Sequence, residues 1–124
     1  LEFCKAHGLK MRGHTLVWHN QTPEWLFHEV YDTSKPFAGK ELMQKRMENY
    51  IKTVLEYVQG NYPGIVYAWD VVNEAFFDSE EGSGTDGEIR STSLWYKTIG
   101  DTYIADAFRF ARQYAAEDSI MTLM

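Results

Sequence analysis

The chain has 124 residues, enough for one domain with its own core, and its 12 Lys and Arg against 18 Asp and Glu give a formal charge of −6. That balance argues against nucleic acid and acidic polymers as partners, no run is apolar enough to span a bilayer, and the single Cys4 excludes an internal disulfide. Aromatic residues make up 15%, with four Trp and eight Tyr, which fits a thick core or a surface on which weakly charged, flat ligands such as sugars stack.

Residues 1–7 read as the last turns of a helix, with Gly8 in the stop position. There is no signal-peptide pattern, and a first residue of Leu inside a helix is expected of a fragment. Residues 10–19 have the apolar density of a strand, and period-two alternation puts His14, Leu16 and Trp18 on one side. A satisfied core histidine and a packed core tryptophan are the plain alternatives for His14 and Trp18. Thr22-Pro23 reads as an N-cap and first helical residue of a short helix. Over residues 40–59, Leu42, Met43, Met47, Ile51, Val54, Leu55 and Val58 recur at helical spacing, and Gly60 is expected to end that helix.

After the turn signal Asn61-Tyr62-Pro63-Gly64, residues 65–72 read as a strand covered on both faces. Asp70, Asn73 and Glu74 fall in or at the end of that run, where an unpaired charge is costly. In parallel α/β folds catalytic groups sit at the carboxyl ends of strands, although a capping Asn beside a solvated Glu would give the same local pattern. The acidic, glycine-rich stretch 78–87 is a loop, either part of a substrate cleft or plain surface, without the oxygen spacing of a calcium site. Asp101-Thr102 caps a last helix with Tyr103, Ala107, Phe108, Ala111, Tyr114 and Ala115 as its buried stripe. The alternation implies βαβ units around a parallel sheet. Two such strands are too few for a sheet covered on both faces, so a piece of a larger fold is expected, about half of the roughly 250 residues of an eight-stranded barrel.

Set side by side, His14-Thr15-Leu16-Val17-Trp18-His19 and Trp69-Asp70-Val71-Val72-Asn73-Glu74 resemble family 10 glycoside hydrolases, the endo-β-1,4-xylanases. Gln21-Thr22-Pro23-Glu24-Trp25, Arg90, Ser93-Leu94-Trp95-Tyr96, Ala107-Phe108 and Ala111-Arg112 extend the resemblance. It implies an α/β fold, a (β/α)8 barrel of which residues 1–124 supply part of the catalytic domain, the third and fourth βα units. It implies Glu74 as general acid/base, Asn73 as the ligand of the sugar 2-hydroxyl, His14 and Trp18 as residues that bind and wall the same sugar, and Gln21 as a contact to the next unit. His19 and Asp70 match polar positions near the site. No cofactor or metal is implied. The implied partner is xylan or a xylo-oligosaccharide, with a monomeric, secreted or cell-surface parent enzyme.

Retaining hydrolysis needs an acid that protonates the leaving oxygen and then serves as base, plus a second carboxylate about 5–5.5 Å away. Glu74 is placed for the first role, with Val72, Phe76 and Trp69 as apolar neighbours, and Asn73 can bond a hydroxyl without adding charge. Alternation would turn Asn73 and Glu74 to opposite faces, so a bulge or turn is expected at the strand end. Asp70, about 13 Å of strand rise earlier, is no nucleophile. The resemblance implies a nucleophile on a later strand, outside these residues, and the 124-residue chain alone is expected to be inactive. Residues 119–124 depart from the Tyr-Asn-Asp-Tyr-Asn expected of the family's next strand, and codons exist for which a shifted frame spells Tyr-Asn-Asp-Phe-Asn, so a frameshifted tail is the expectation there. The rival readings are another barrel β-glycanase, a metal-dependent barrel hydrolase using His14, His19 and Asp70, and a sugar-binding remnant without a nucleophile.

Overall fold

A computed structural model describes residues 1–78 and 87–124. Its centre is a parallel sheet in the order β1 (Met11–Trp18), β2 (Val66–Asn73), β3 (Ile120–Leu123). From Ala68 onward every residue of β2 is buried, as expected of a central strand with both faces covered. β1 runs alongside it from Met11 opposite Val66 to Trp18 opposite Asn73. β3 pairs on the other side, from Ala68 opposite Ile120 to Val72 opposite Leu123. The sheet thus has three described strands, where the sequence pattern had suggested two. Four residues are too short a run to show periodicity, and the third strand falls in residues 119–124, where the resemblance places a strand whose expected sequence they depart from.

Parallel neighbours need long crossovers, and helices supply them. α1 (Glu2–His7) ends on Gly8, whose φ of +64° suits a glycine at a helix stop. α2 (Lys40–Asn61) joins β1 to β2, while α3 (Leu94–Ile99) and α4 (Tyr103–Tyr114) lie between β2 and β3. On α2 the buried stripe is Met43, Met47, Ile51, Leu55 and Val58, three to four residues apart, and it meets Leu16, Val17, Val71 and Val72 of the sheet in one core. α2 runs on through Gly60 to Asn61, so that glycine does not stop it. Its cost of about 1 kcal/mol is small against a helix anchored by five buried side chains. On α4, Phe110 rather than Phe108 is fully buried.

The β1–α2 connection is built of short 3-10 turns, Glu24–Phe27 and Glu29–Tyr31. Thr22 does not cap them; its hydroxyl donates to the carbonyl of Trp18 at 2.9 Å. Buried His28 organises the segment, with Nδ1 2.6 Å from the Lys35 carbonyl and Nε2 3.1 Å from Glu24 Oε1. Arg46 of α2 donates to the carbonyls of Leu26 and His28 at 2.6 and 2.8 Å, fastening the connection to the helix. After β2, Phe77 donates to Glu88 and Gly87 donates back to Phe77, closing the loop that follows the strand. Most of the stretch expected to line a cleft or form plain surface, residues 79–86, lies outside the described residues.

Candidate active site

The carboxyl ends of β1 and β2 are neighbours, and the predicted residues gather there because of irregularities in both strands. In β1 the pairing with β2 shifts register between His14 and Val17. Strict alternation therefore fails. Leu16 turns into the core at 4% exposure, while His14 and Trp18 remain accessible with ring centroids 6.0 Å apart. Gly13 makes the approach possible, since a Cβ there would sit 2.3 Å from the Trp69 ring. Buried Trp69 covers the strand where a side chain would otherwise stand.

In β2 the expected turn lies at Glu74 itself, which adopts φ +51°, a left-handed conformation that costs a non-glycine residue about 1 kcal/mol. Two backbone contacts hold it. The Glu74 N–H donates to the Met124 carbonyl at 2.7 Å, and its own carbonyl accepts from Arg90 Nε at 2.9 Å. Arg90 is buried and donates again to the Phe76 carbonyl, so the arginine that seemed only part of a motif fixes the backbone around Glu74. The turn presents the Glu74 side chain at 48% exposure, with Oε2 accepting from Trp18 Nε1 at 3.3 Å and lying 3.9 Å from His19 Nε2. Its apolar sequence neighbours do not enclose it, because Val72 and Trp69 belong to the buried core.

Asn73 is 9% exposed, opposite Trp18 across the strand pair. Trp18 is braced from behind, its carbonyl accepting from Trp95 Nε1 at 3.2 Å. Gln21 sits at φ +52°, its N–H held by Asn20 Oδ1 at 3.0 Å, and shares a cavity of about 180 Å³ with His14, Trp18 and Tyr50. A larger cavity of about 340 Å³, lined by Lys10, Tyr62, Tyr67 and Ser119, opens at the amino ends of the strands, away from these groups.

Asp70 behaves differently from its neighbours. At 3% exposure it accepts from Arg12 Nε at 2.7 Å, from Thr122 Oγ1 at 2.7 Å and from His14 Nδ1 at 2.9 Å, with Arg12 Nη2 a further 2.5 Å contact. Burial alone would push its carboxyl up, but the hydrogen bonds from Arg12, Thr122 and His14 outweigh it and hold the group at about 2. It is a satisfied buried anion. Arg12 and Thr122 were not anticipated as part of this cluster; Arg12 stands two residues before His14, and Thr122 lies in the tail. His14 and Asp70 do meet, but His19 turns toward Glu74, and no three His, Cys, Asp or Glu side chains among the described residues assemble as a metal site.

The glycosyl hydrolase family 10 model matches residues 1–122, reaching into the segment expected to depart from the family's pattern. Endo-1,4-beta-xylanase B of Butyrivibrio fibrisolvens is 50% identical over 118 residues, 95% of this chain and 17% of that protein. Endo-1,4-beta-xylanase A of Caldicellulosiruptor saccharolyticus is 46% identical over 116 residues, 94% of this chain and 30% of that protein. Among solved structures, the xylanase TsXylA of Thermoanaerobacterium saccharolyticum, in complex with xylotriose, superposes with a TM-score of 0.84 at 36% identity, over 98% of this chain and 35% of that one. The chain spans about a third or less of the relatives it matches, a smaller share than barrel length alone suggested. A match from the first residue through the third strand, together with a barrel neighbour over nearly the whole length, establishes that this chain belongs to glycosyl hydrolase family 10.

Proposed function

We infer that the chain is the acid/base portion of a retaining endo-1,4-β-xylanase, which cleaves internal β-1,4-xylosidic bonds of xylan by double displacement. The observation that carries this reading is the delivery of Glu74 by a left-handed turn at the end of β2, half exposed and bonded to the indole of Trp18. In this assignment Glu74 protonates the departing glycosidic oxygen and then deprotonates water. Asn73 takes the 2-hydroxyl; its amide makes no hydrogen bond among the described residues, which leaves it for a ligand. His14 and Trp18 hold the same sugar and Gln21 reaches the next.

Asp70 is not the nucleophile, because both its oxygens are committed to Arg12, Thr122 and His14. The nucleophile is assigned to a later strand of the complete enzyme, and the 124 residues alone are assigned no turnover. The open sides of β1 and β3 fit a segment of barrel, assigned as the third and fourth βα units with the start of the next strand. The parent is assigned as a monomer, secreted or held at the cell surface, acting without a cofactor, nucleic acid or membrane.

The test is Glu74→Ala in the complete enzyme. Xylan hydrolysis should collapse, while the first step on an aryl glycoside whose leaving group needs no protonation should survive. Equal loss on both substrates would assign Glu74 another role, and xylan turnover by the 124 residues alone would sink the missing-nucleophile reading. A second reading, another barrel β-glycanase, is favoured by one relative, Exoglucanase XynX of Acetivibrio thermocellus, 39% identical over 115 residues. Comparing the complete enzyme on xylan and on cellulose separates the two.

A further inference from the structure

His14 is a predicted sugar contact whose proton is placed by a buried group. Its Nδ1 lies 2.9 Å from Asp70 Oδ2, and 51% of its side chain is open. An ionised carboxylate only accepts, so Nδ1 carries a proton, and in the neutral ring Nε2 keeps its lone pair. Histidine in water favours the opposite tautomer, with the proton on Nε2; the hydrogen bond made by one nitrogen decides the state of the other. Asp70 is oriented in turn by groups from both flanking strands. Arg12 Nε and Thr122 Oγ1 each donate to Oδ1 at 2.7 Å, and Arg12 Nη2 donates to Thr122 Oγ1 at 2.9 Å. Both load one oxygen and leave the other for His14.

We propose that Arg12 and Thr122 are positioning residues of the sugar site, fixing His14 through Asp70 as the neutral Nδ1–H tautomer so that Nε2 accepts a hydrogen bond from a sugar hydroxyl. The proposal rests on the xylan-site reading above. It gives the short third strand a purpose beyond pairing, since Thr122 donates to Asp70, the carboxylate that holds His14.

The experiment is imidazole nitrogen NMR on the complete enzyme and its Thr122→Val and Thr122→Ser variants, with and without xylotriose. Wild type and Thr122→Ser should show the proton on Nδ1. Thr122→Val should show a several-fold larger Nε2–H population and several-fold weaker xylotriose binding. A wild-type ring protonated on Nε2, or a Thr122→Val spectrum identical to wild type, overturns the proposal. Arg12→Lys, which keeps the charge but loses the fork to Oδ1 and Thr122, repeats the test if Thr122→Val does not fold, and an unchanged tautomer there overturns it equally. An Nδ1–H ring that tracks the hydroxyl while Nε2 ignores xylotriose overturns the acceptor role and the sugar-site reading, but not the placement of the proton.

Discussion

Asp70 and Glu74 are two carboxylates four residues apart in the chain, and they are treated in opposite ways. Asp70 lies within β2, 3% exposed and surrounded by donors from β1 and β3. Glu74 lies one residue past the strand, half exposed, with one indole donor at 3.3 Å and its backbone held in a left-handed turn. The first has its hydrogen-bonding capacity consumed by the fold. The second has its backbone fixed and its side chain left available. Within the strand the carboxylate ties neighbouring strands together, and just beyond its end the carboxylate stays open to solvent.

The largest expected difference follows from removing each. Asp70→Leu removes the shared acceptor of Arg12, His14 and Thr122, and because Arg12 and His14 stay open to water the loss should be about 2–3 kcal/mol, short of the cost of breaking a fully buried pair. Glu74→Ala should change stability by about 0.5 kcal/mol or less, as for other exposed substitutions. Urea denaturation of both variants checks the contrast, and similar losses would mean that Glu74 is also structural. Next in size is Gly13→Ala. Its Cβ would meet the Trp69 ring at 2.3 Å, so the ring must move, at the roughly 1–3 kcal/mol of an overpacked core. An indole fluorescence shift should accompany the loss, and an unchanged midpoint would show that the close approach is not obligatory.

The acid limb of stability should report Asp70 as well. Its carboxyl is held at about 2, below the usual carboxylate range near 3.9, so the unfolded chain binds the proton more readily than the folded one. The resulting contribution of about 2 kcal/mol is present above pH 4 and lost as pH falls through about 2. Comparing wild type with Asp70→Asn by denaturation from pH 6 to pH 2 checks the sign. The stability gap should narrow toward low pH, and a gap that widens would contradict the assignment.

Much of this arrangement was legible in the sequence, and what was missed has a common cause. Asn73 and Glu74 stand out because polar residues interrupt an apolar strand at its end, and the required turn follows from the period of two. Arg12 and Thr122 do not stand out, because each is one polar residue on its own strand and acquires meaning only when strands 58 and 52 residues from Asp70 are laid side by side. Thr122 was further hidden in a tail whose four-residue strand β3 is too short to announce itself. Of His14, Leu16 and Trp18, expected on one side, His14 and Trp18 do lie together and Leu16 alone turns into the core, where the strand pairing shifts register after His14. Gly60 failed as a helix stop for a global reason. Five buried anchors outweigh a single weak propensity.

The smallest effect is the most direct test of how the fold treats Glu74. A residue at φ +51° carries a strain that glycine does not, so Glu74→Gly should recover stability relative to Glu74→Ala. Glycine also gains freedom in the unfolded chain, which subtracts from the recovery, and the net gain should be about 0.5–1 kcal/mol. The backbone contacts to Met124 and Arg90 involve only the N–H and carbonyl of residue 74, so both substitutions preserve them. The difference between the variants therefore isolates the turn from the side chain. If glycine stabilises the chain at this position while abolishing activity in the complete enzyme, the left-handed turn is a cost carried for the carboxylate it presents. If the two variants are equally stable, residue 74 is not strained, and the turn belongs to the ordinary geometry of the strand end.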